Sequence, residues 1–288
     1  MLFDMAQPQD IALVLLNMGG PDRLEDIQPF LRNLFCDREL IRLPGGPLLQ
    51  GALARFIAHR RSRKVTPHYA AIGGGSPLRD WTEKQAAGIA ERSGHEFRPF
   101  VAMRYWAPTA DDTVQAIRAA GLQRAVVLSM YPHYTGATTG SSINDFRRAV
   151  AQHHPQLECV FIEHWHDWRP YHAALGARIC EGLEEIPPEW LMETRILFSA
   201  HALPQKFIDR GDPYLQHVQT TVAGAMEFVG GHFRHQLAFQ SRSGPVRWMK
   251  PGTEETIRDL AAKGTRALLV VPVSFVSDHT ESLHEIDI

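Results

Sequence analysis

Two polar clusters stand where buried apolar runs stop. Ile196-Leu197-Phe198-Ser199-Ala200 reads as a buried strand that ends at an imidazole, His201, before Ala202-Leu203-Pro204. In an open parallel sheet, ligands bind beyond the carboxyl ends of the strands, which puts His201 where chemistry is usually done. Further on, Ser277-Asp278-His279-Thr280-Glu281 follows a second apolar run, residues 267–273. Asp278, Glu281 and Glu285 are spaced three and four apart, so on a helix they share one stripe about 60° wide. Asp278-x-x-Glu281 is also an acceptable capping box, which accounts for two of the three acids and leaves Glu285 unexplained. A His and a carboxylate converging on one cavity can bind a divalent transition metal such as Fe(II). The same pair can move protons, because imidazole titrates near neutrality and clustered carboxylates raise one another's pKa.

The elements that must position these groups alternate along the chain. Strand-like runs at 11–16, 97–103, 125–130, 159–162, 196–200, 237–240 and 267–271 are separated by helix-like stretches. The helices are expected at about 27–34, up to about Arg63, 78–93, 111–120, from about 138, 171–183, 213–228 and 254–263. Strands separated by helices of this length argue for parallel sheets covered on both faces. An internal repeat sharpens the reading. Pro108 to Gly121 running into Arg124-Ala-Val-Val-Leu matches Pro251 to Gly264 running into Arg266-Ala-Leu-Leu-Val. Each copy is proline, acidic first turn, amphipathic helix, glycine stop and buried strand. The two prolines stand 143 positions apart, about half of the 288-residue chain. That distance fits two similar Rossmann-like α/β domains, 1–153 and 154–288, each a parallel β-sheet flanked by helices, with an active-site cleft between them.

Composition excludes several classes. A chain 44% hydrophobic and 22% charged is neither disordered nor membrane-spanning. A net charge of −2 gives no general attraction to nucleic acid. The apolar runs are too short to cross a bilayer, and Met1-Leu2-Phe3-Asp4 lacks the basic and apolar regions of a signal peptide. Cys36, Cys159 and Cys180 are scattered and odd in number, which points to a reducing compartment, the cytoplasm, and to neither a disulfide framework nor a zinc knuckle.

Gly73-Gly74-Gly75-Ser76 and Thr139-Gly140-Ser141-Ser142 each precede a helix and could hold an anionic oxygen, although neither matches a known phosphate loop; tight turns are the simpler reading. Trp106 and Trp248 follow strands and are placed to wall a flat ligand.

At this point the residues resemble a known family. Leu16-Asn17-Met18-Gly19-Gly20-Pro21, Ile72-Gly-Gly-Gly-Ser76-Pro77, Met103-Arg104-Tyr105 and Tyr131-Pro132-x-Tyr134 with Thr138-Thr-Gly-Ser-Ser142 carry the first half of the likeness. Ser199-Ala-His201-Ala-Leu-Pro204, Gly211-Asp-Pro-Tyr214, Phe239-Gln-Ser241, Gly244-Pro245 with Trp248, and Asp278-His-Thr-Glu281-Ser-Leu283 with Glu285-Ile-Asp287 carry the second. Together, in order and over nearly the whole chain, they resemble ferrochelatases. The resemblance implies insertion of Fe(II) into protoporphyrin IX to give protoheme, the last step of heme biosynthesis. It makes His201 and Glu281 the pair that handles metal and protons, with Asp278 beside them and His279 and Glu285 along a metal or proton path. It assigns Met18, Arg61, Tyr69, Ser76, Arg104, Tyr105, Tyr134 and Trp248 to the porphyrin. It implies no permanently bound cofactor. Gly136 stands where some relatives place a cluster-binding Cys, so no [2Fe-2S] cluster is expected. The partners are the porphyrin and ferrous iron, with no nucleic acid, no obligate protein partner, and peripheral membrane association left open. Family members continue past the last motif through a further strand and helix, so a chain ending at Ile288 reads as truncated, with less burial for its last helix. Two alternatives stay open: a tetrapyrrole or metal carrier that does not turn over, and an α/β enzyme for phosphorylated metabolites that uses the glycine loops.

Overall fold

A computed structural model describes residues 11–93, 97–230, 233–242, 244, 246–284 and 286. By contacts the chain divides into two units. One takes the chain to Tyr131, Gly136–Glu163 and the residues from Ser277; the other takes Pro132–Thr135 and His164–Val276. In this division Pro132–Thr135 group with the second unit and the residues from Ser277 with the first.

The first, N-terminal unit holds a four-stranded parallel sheet in the order β2-β1-β3-β4: β1 Ile11–Asn17, β2 Phe97–Met103, β3 Arg124–Ser129 and β4 Glu158–Ile162. All seven residues of β1 are buried, which is why its sequence lacks alternation. Ala12, Val14 and Leu16 pack with Val114 and Ile117 of helix Ala110–Ala119 and with Ile143 and Phe146 of helix Ser141–His153. A second core joins Ile27, Phe30, Leu31 and Phe35 of helix Ile27–Cys36 to Ala54, Ala58 and Tyr69 of helix Gly46–Ala71. That last helix runs eight residues past the expected stop at Arg63, straight through Pro67. The proline removes one backbone bond, but buried Tyr69 anchors the turn beyond it.

The second, C-terminal unit holds a three-stranded parallel sheet, β6-β5-β7: β5 Arg195–His201, β6 Arg234–Gln240 and β7 Leu268–Pro272. The fold class is as expected, two parallel sheets flanked by helices. The repeat is visible within each unit taken alone. β2-β1-β3 and β6-β5-β7 share one order, and each last strand follows a helix whose first turn is capped by its own acid. Asp112 accepts from the Thr109 amide at 2.9 Å, and Glu255 from the Gly252 amide at 3.3 Å. Each helix ends at a glycine with positive φ, Gly121 at 74° and Gly264 at 82°, where a side chain would be strained. Among the described residues, no helix is long and apolar enough to cross a membrane.

Candidate functional site

His201 is the last residue of the central strand β5 and is partly exposed. Its backbone is held at both polar atoms: the amide donates to Ser274 Oγ at 2.8 Å and the carbonyl accepts from the Tyr214 hydroxyl at 2.9 Å. With its proton on that carbonyl, the Tyr214 oxygen accepts from the Ser274 hydroxyl at 2.7 Å. The imidazole therefore projects from a fixed base, with the Phe275 ring edge-on at 6.2 Å between centroids. The segments after β5 and β6 zip together: Gln205 N–H donates to Arg247 O at 2.8 Å, Met249 N–H to Leu203 O at 3.1 Å, and Pro204 bridges Trp248. Trp248 thus sits within the same unit beside the loop that leaves His201. Among the described residues its buried indole N–H has no hydrogen-bond partner, which is rare for a buried donor. Tyr134 belongs to the same unit, where its amide donates to His217 Nδ1 at 3.1 Å.

The acidic segment belongs to the N-terminal unit. It forms a helix of one turn, Thr280–Leu283, capped by His279 rather than Asp278. The His279 ring accepts from the Glu281 amide at 3.3 Å, and the His279 amide donates to Ser282 Oγ at 3.0 Å. Asp278 precedes the cap and is exposed, so it does not share one helical stripe with Glu281; Glu285 lies outside the described residues. Asp278 and Glu281 are consequently not spent on capping. The Glu281 charge bears on two phenols. Burial pushes the Tyr69 hydroxyl up, Thr280 pulls it back by a hydrogen bond, and the Glu281 charge adds to the rise. Burial and then Glu281 raise Tyr131 in the same way, so both stay protonated at neutral pH. Tyr131 was not among the expected site residues.

Arg104 and Tyr105 turn their polar ends to a buried carboxylate that the sequence gives no sign of. Asp37 accepts from Ser141 at 2.5 Å, the Tyr105 hydroxyl at 2.8 Å and Arg104 Nη2 at 3.0 Å, while Arg104 Nε donates to Ser141 at 2.8 Å. Burial alone would raise the Asp37 pKa. The Ser141 bond, the Arg104 charge, the Tyr105 bond and the Glu39 amide outweigh it and hold the carboxyl below its usual range. Met18, partly buried, follows β1, and its carbonyl accepts from the Tyr105 amide at 3.0 Å. Arg61 lies partly buried on helix Gly46–Ala71.

The glycine stretches serve the backbone. Ser76 N–H donates to Pro21 O at 2.8 Å, and a Cβ on Gly75 would lie 2.2 Å from the Asp22 carbonyl oxygen. A Cβ on Gly20 would lie 2.5 Å from Ser76 Oγ. Gly20 and Gly75 are required where these two segments of the chain touch, and Gly73 and Gly74 turn at positive φ of 107° and 94°, so tight turns account for the stretch. Gly140 continues into helix Ser141–His153 in helical conformation, and Ser141 is taken by Asp37.

The ferrochelatase family profile matches residues 10–288. The ferrochelatase of Geotalea uraniireducens (strain Rf4) is 50% identical over 281 residues, 98% of this chain and 87% of that protein. That of Geobacter metallireducens is 50% identical over 96% of this chain and 86% of the relative. That of Gloeobacter violaceus is 44% identical, over 97% and 86%.

Proposed function

Because the chain belongs to the ferrochelatase family, we propose that it inserts ferrous iron into protoporphyrin IX and releases two protons, forming protoheme as the last step of heme biosynthesis. It is a metal chelatase of the lyase class. The observation that carries this reading is a family match over nearly the whole chain that includes a histidine mounted at the end of a central strand.

The free-base ring points its nitrogen lone pairs inward and carries two N–H groups, so Fe(II) enters only as both protons leave. His201 takes one of them, because imidazole accepts a proton near neutral pH and returns it to solvent. Glu281 meets the ion and takes the second proton. The phenols of Tyr69 and Tyr131 remain neutral beside it and add no competing charge. Asp278 and His279 support Glu281, and Glu285 extends the acidic path. Met18, Tyr134 and Trp248 contact the ring, and Arg61, Tyr69 and Ser76 handle its propionates. Arg104 and Tyr105 line the porphyrin pocket, held in place by their bonds to Asp37. The ring is gripped in a ruffled or saddled form, so that binding energy is spent on exposing a lone pair.

No cofactor stays bound and no iron–sulfur cluster takes part. The free thiols Cys36, Cys159 and Cys180 suit the cytoplasm. Exposed Leu48, Leu49 and Phe56 on helix Gly46–Ala71 suit contact with a membrane surface. Under anaerobic conditions, adding Fe(II) to the protein and protoporphyrin IX should extinguish porphyrin emission catalytically and give a heme absorption spectrum. Emission that persists through many equivalents of protein and iron defeats the reading.

A further inference from the structure

We infer that the C-terminal unit carries a second, exchangeable site for a divalent transition-metal ion, built from His164, His166 and Asp167 and from none of the residues proposed for chelation. The three lie on the loop between β4 and helix Arg169–Glu184, and their ligand atoms fall within 4.8 Å of one another. Ligands around a tetrahedral ion at about 2.0–2.1 Å stand about 3.3 Å apart, so the set closes by rotation of the exposed His164 and Asp167 side chains.

The middle ligand is already fixed. His166 is 9% exposed, and its carbonyl accepts from Thr221 Oγ1 at 2.8 Å and from His172 Nε2 at 2.7 Å. The neighbouring Trp165 amide donates to Pro132 O at 3.0 Å. The ring stacks on His217 with centroids 3.6 Å apart and planes within 8°. His217 is a wall and not a fourth ligand. Its Nδ1 accepts from the Tyr134 amide, so its proton sits on Nε2 and neither nitrogen has a free lone pair. His172 is turned away: its Nε2 donates to the His166 carbonyl, and its Nδ1 packs against Gly224, where an added Cβ would lie 2.0 Å from it.

A second observation points to a ligand. Among the described residues the buried His166 Nδ1 has no hydrogen-bond partner, an expensive arrangement for a ring so tightly held. A coordinated ion gives that ring the polar partner the protein omits. Two imidazoles and one carboxylate with open positions suit Zn(II), Co(II) or Fe(II), not Mg(II) or Ca(II). With only three protein ligands, one of them exposed Asp167, the ion exchanges with solvent.

The test uses the full chain and Co(II) alone, read by visible absorption and equilibrium dialysis. In a His201→Ala/Glu281→Gln background, one Co(II) per chain should still bind. His164→Ala or Asp167→Asn, both exposed and expected to leave the melting temperature unchanged, should then weaken binding at least about 100-fold. In the unmodified chain the same substitutions should remove one equivalent of Co(II). Absence of Co(II) from the double-variant background, or binding unmoved by both loop substitutions, overturns the site. Porphyrin metallation by the unmodified chain is read separately, so failure here and failure of the chelatase reading are distinguishable.

Discussion

Around Asp37 the N-terminal unit collects one carboxylate, one guanidinium and two hydroxyls; around His166 the C-terminal unit collects imidazoles. In the first cluster every polar atom named has a partner of opposite character, and the carboxyl titrates lower than it would in water. In the second, rings crowd rings. Burial, then the charges of neighbouring imidazoles, drives His133 down to about 3 and His217 down to about 4, and among the described residues the Nδ1 atoms of His133 and His166 have no partner. The difference teaches how each unit treats a buried polar group. The Asp37 cluster is complete in itself and reads as scaffolding, whereas burial among other imidazoles disfavours protons on His133 and His217, and the His166 Nδ1 is left for something else to meet.

The largest effect expected from breaking the first cluster is Arg104→Met. It strands a buried carboxylate and should cost about 3 kcal/mol in urea unfolding. Asp37→Asn should cost about 2 kcal/mol, because Arg104 keeps Asp145 at 3.8 Å. The Arg104→Met/Asp37→Asn double variant should lose less than the sum of the two; strict additivity would show that the residues do not act as one network.

The histidine cluster gives a smaller effect with a defined pH window. Unfolded imidazole binds a proton below about 6.5, while folded His133 refuses one until about 3, so the unfolded state binds more protons between these values. Stability is therefore complete above about 6.5 and falls as pH drops through that window. His133→Gln should shrink the loss of stability between pH 7.5 and pH 5 by about 1 to 2 kcal/mol, read from urea midpoints. An equal loss in both proteins would mean that His133 is not held neutral. In Asp37 the sign is the one usual for carboxylates. Its contribution is present above about 3.9 and is lost as pH falls through the lowered folded value, so Asp37→Asn should flatten only the acid limb below about pH 4.

The strands and the repeat were legible in the sequence because parallel strands buried on both faces are unbroken apolar runs, and capped helices leave acids before and glycine after. β2 is found at the expected residues, Phe97–Met103. His201 was legible for the same reason, as the first polar group after such a run. The Asp37 network was not, because its partners Arg104, Tyr105 and Ser141 lie 67, 68 and 104 residues away and no local pattern joins them. The cap at His279 was hidden differently. A helix of one turn is too short for periodicity, so spacing suggested a stripe where the backbone gives Asp278 an extended neighbour. Gly75 shows the reverse case, a glycine stretch readable as a phosphate loop until the Asp22 carbonyl is found against it.

The central claim is that His201 removes a pyrrole proton as iron enters the ring. Anaerobic stopped-flow loss of protoporphyrin emission on adding Fe(II) tests it directly, with porphyrin binding measured separately without metal. His201→Ala should bind porphyrin as the unmodified chain does and metallate it at least about 100-fold more slowly. Metallation by His201→Ala at the unmodified rate would contradict the account.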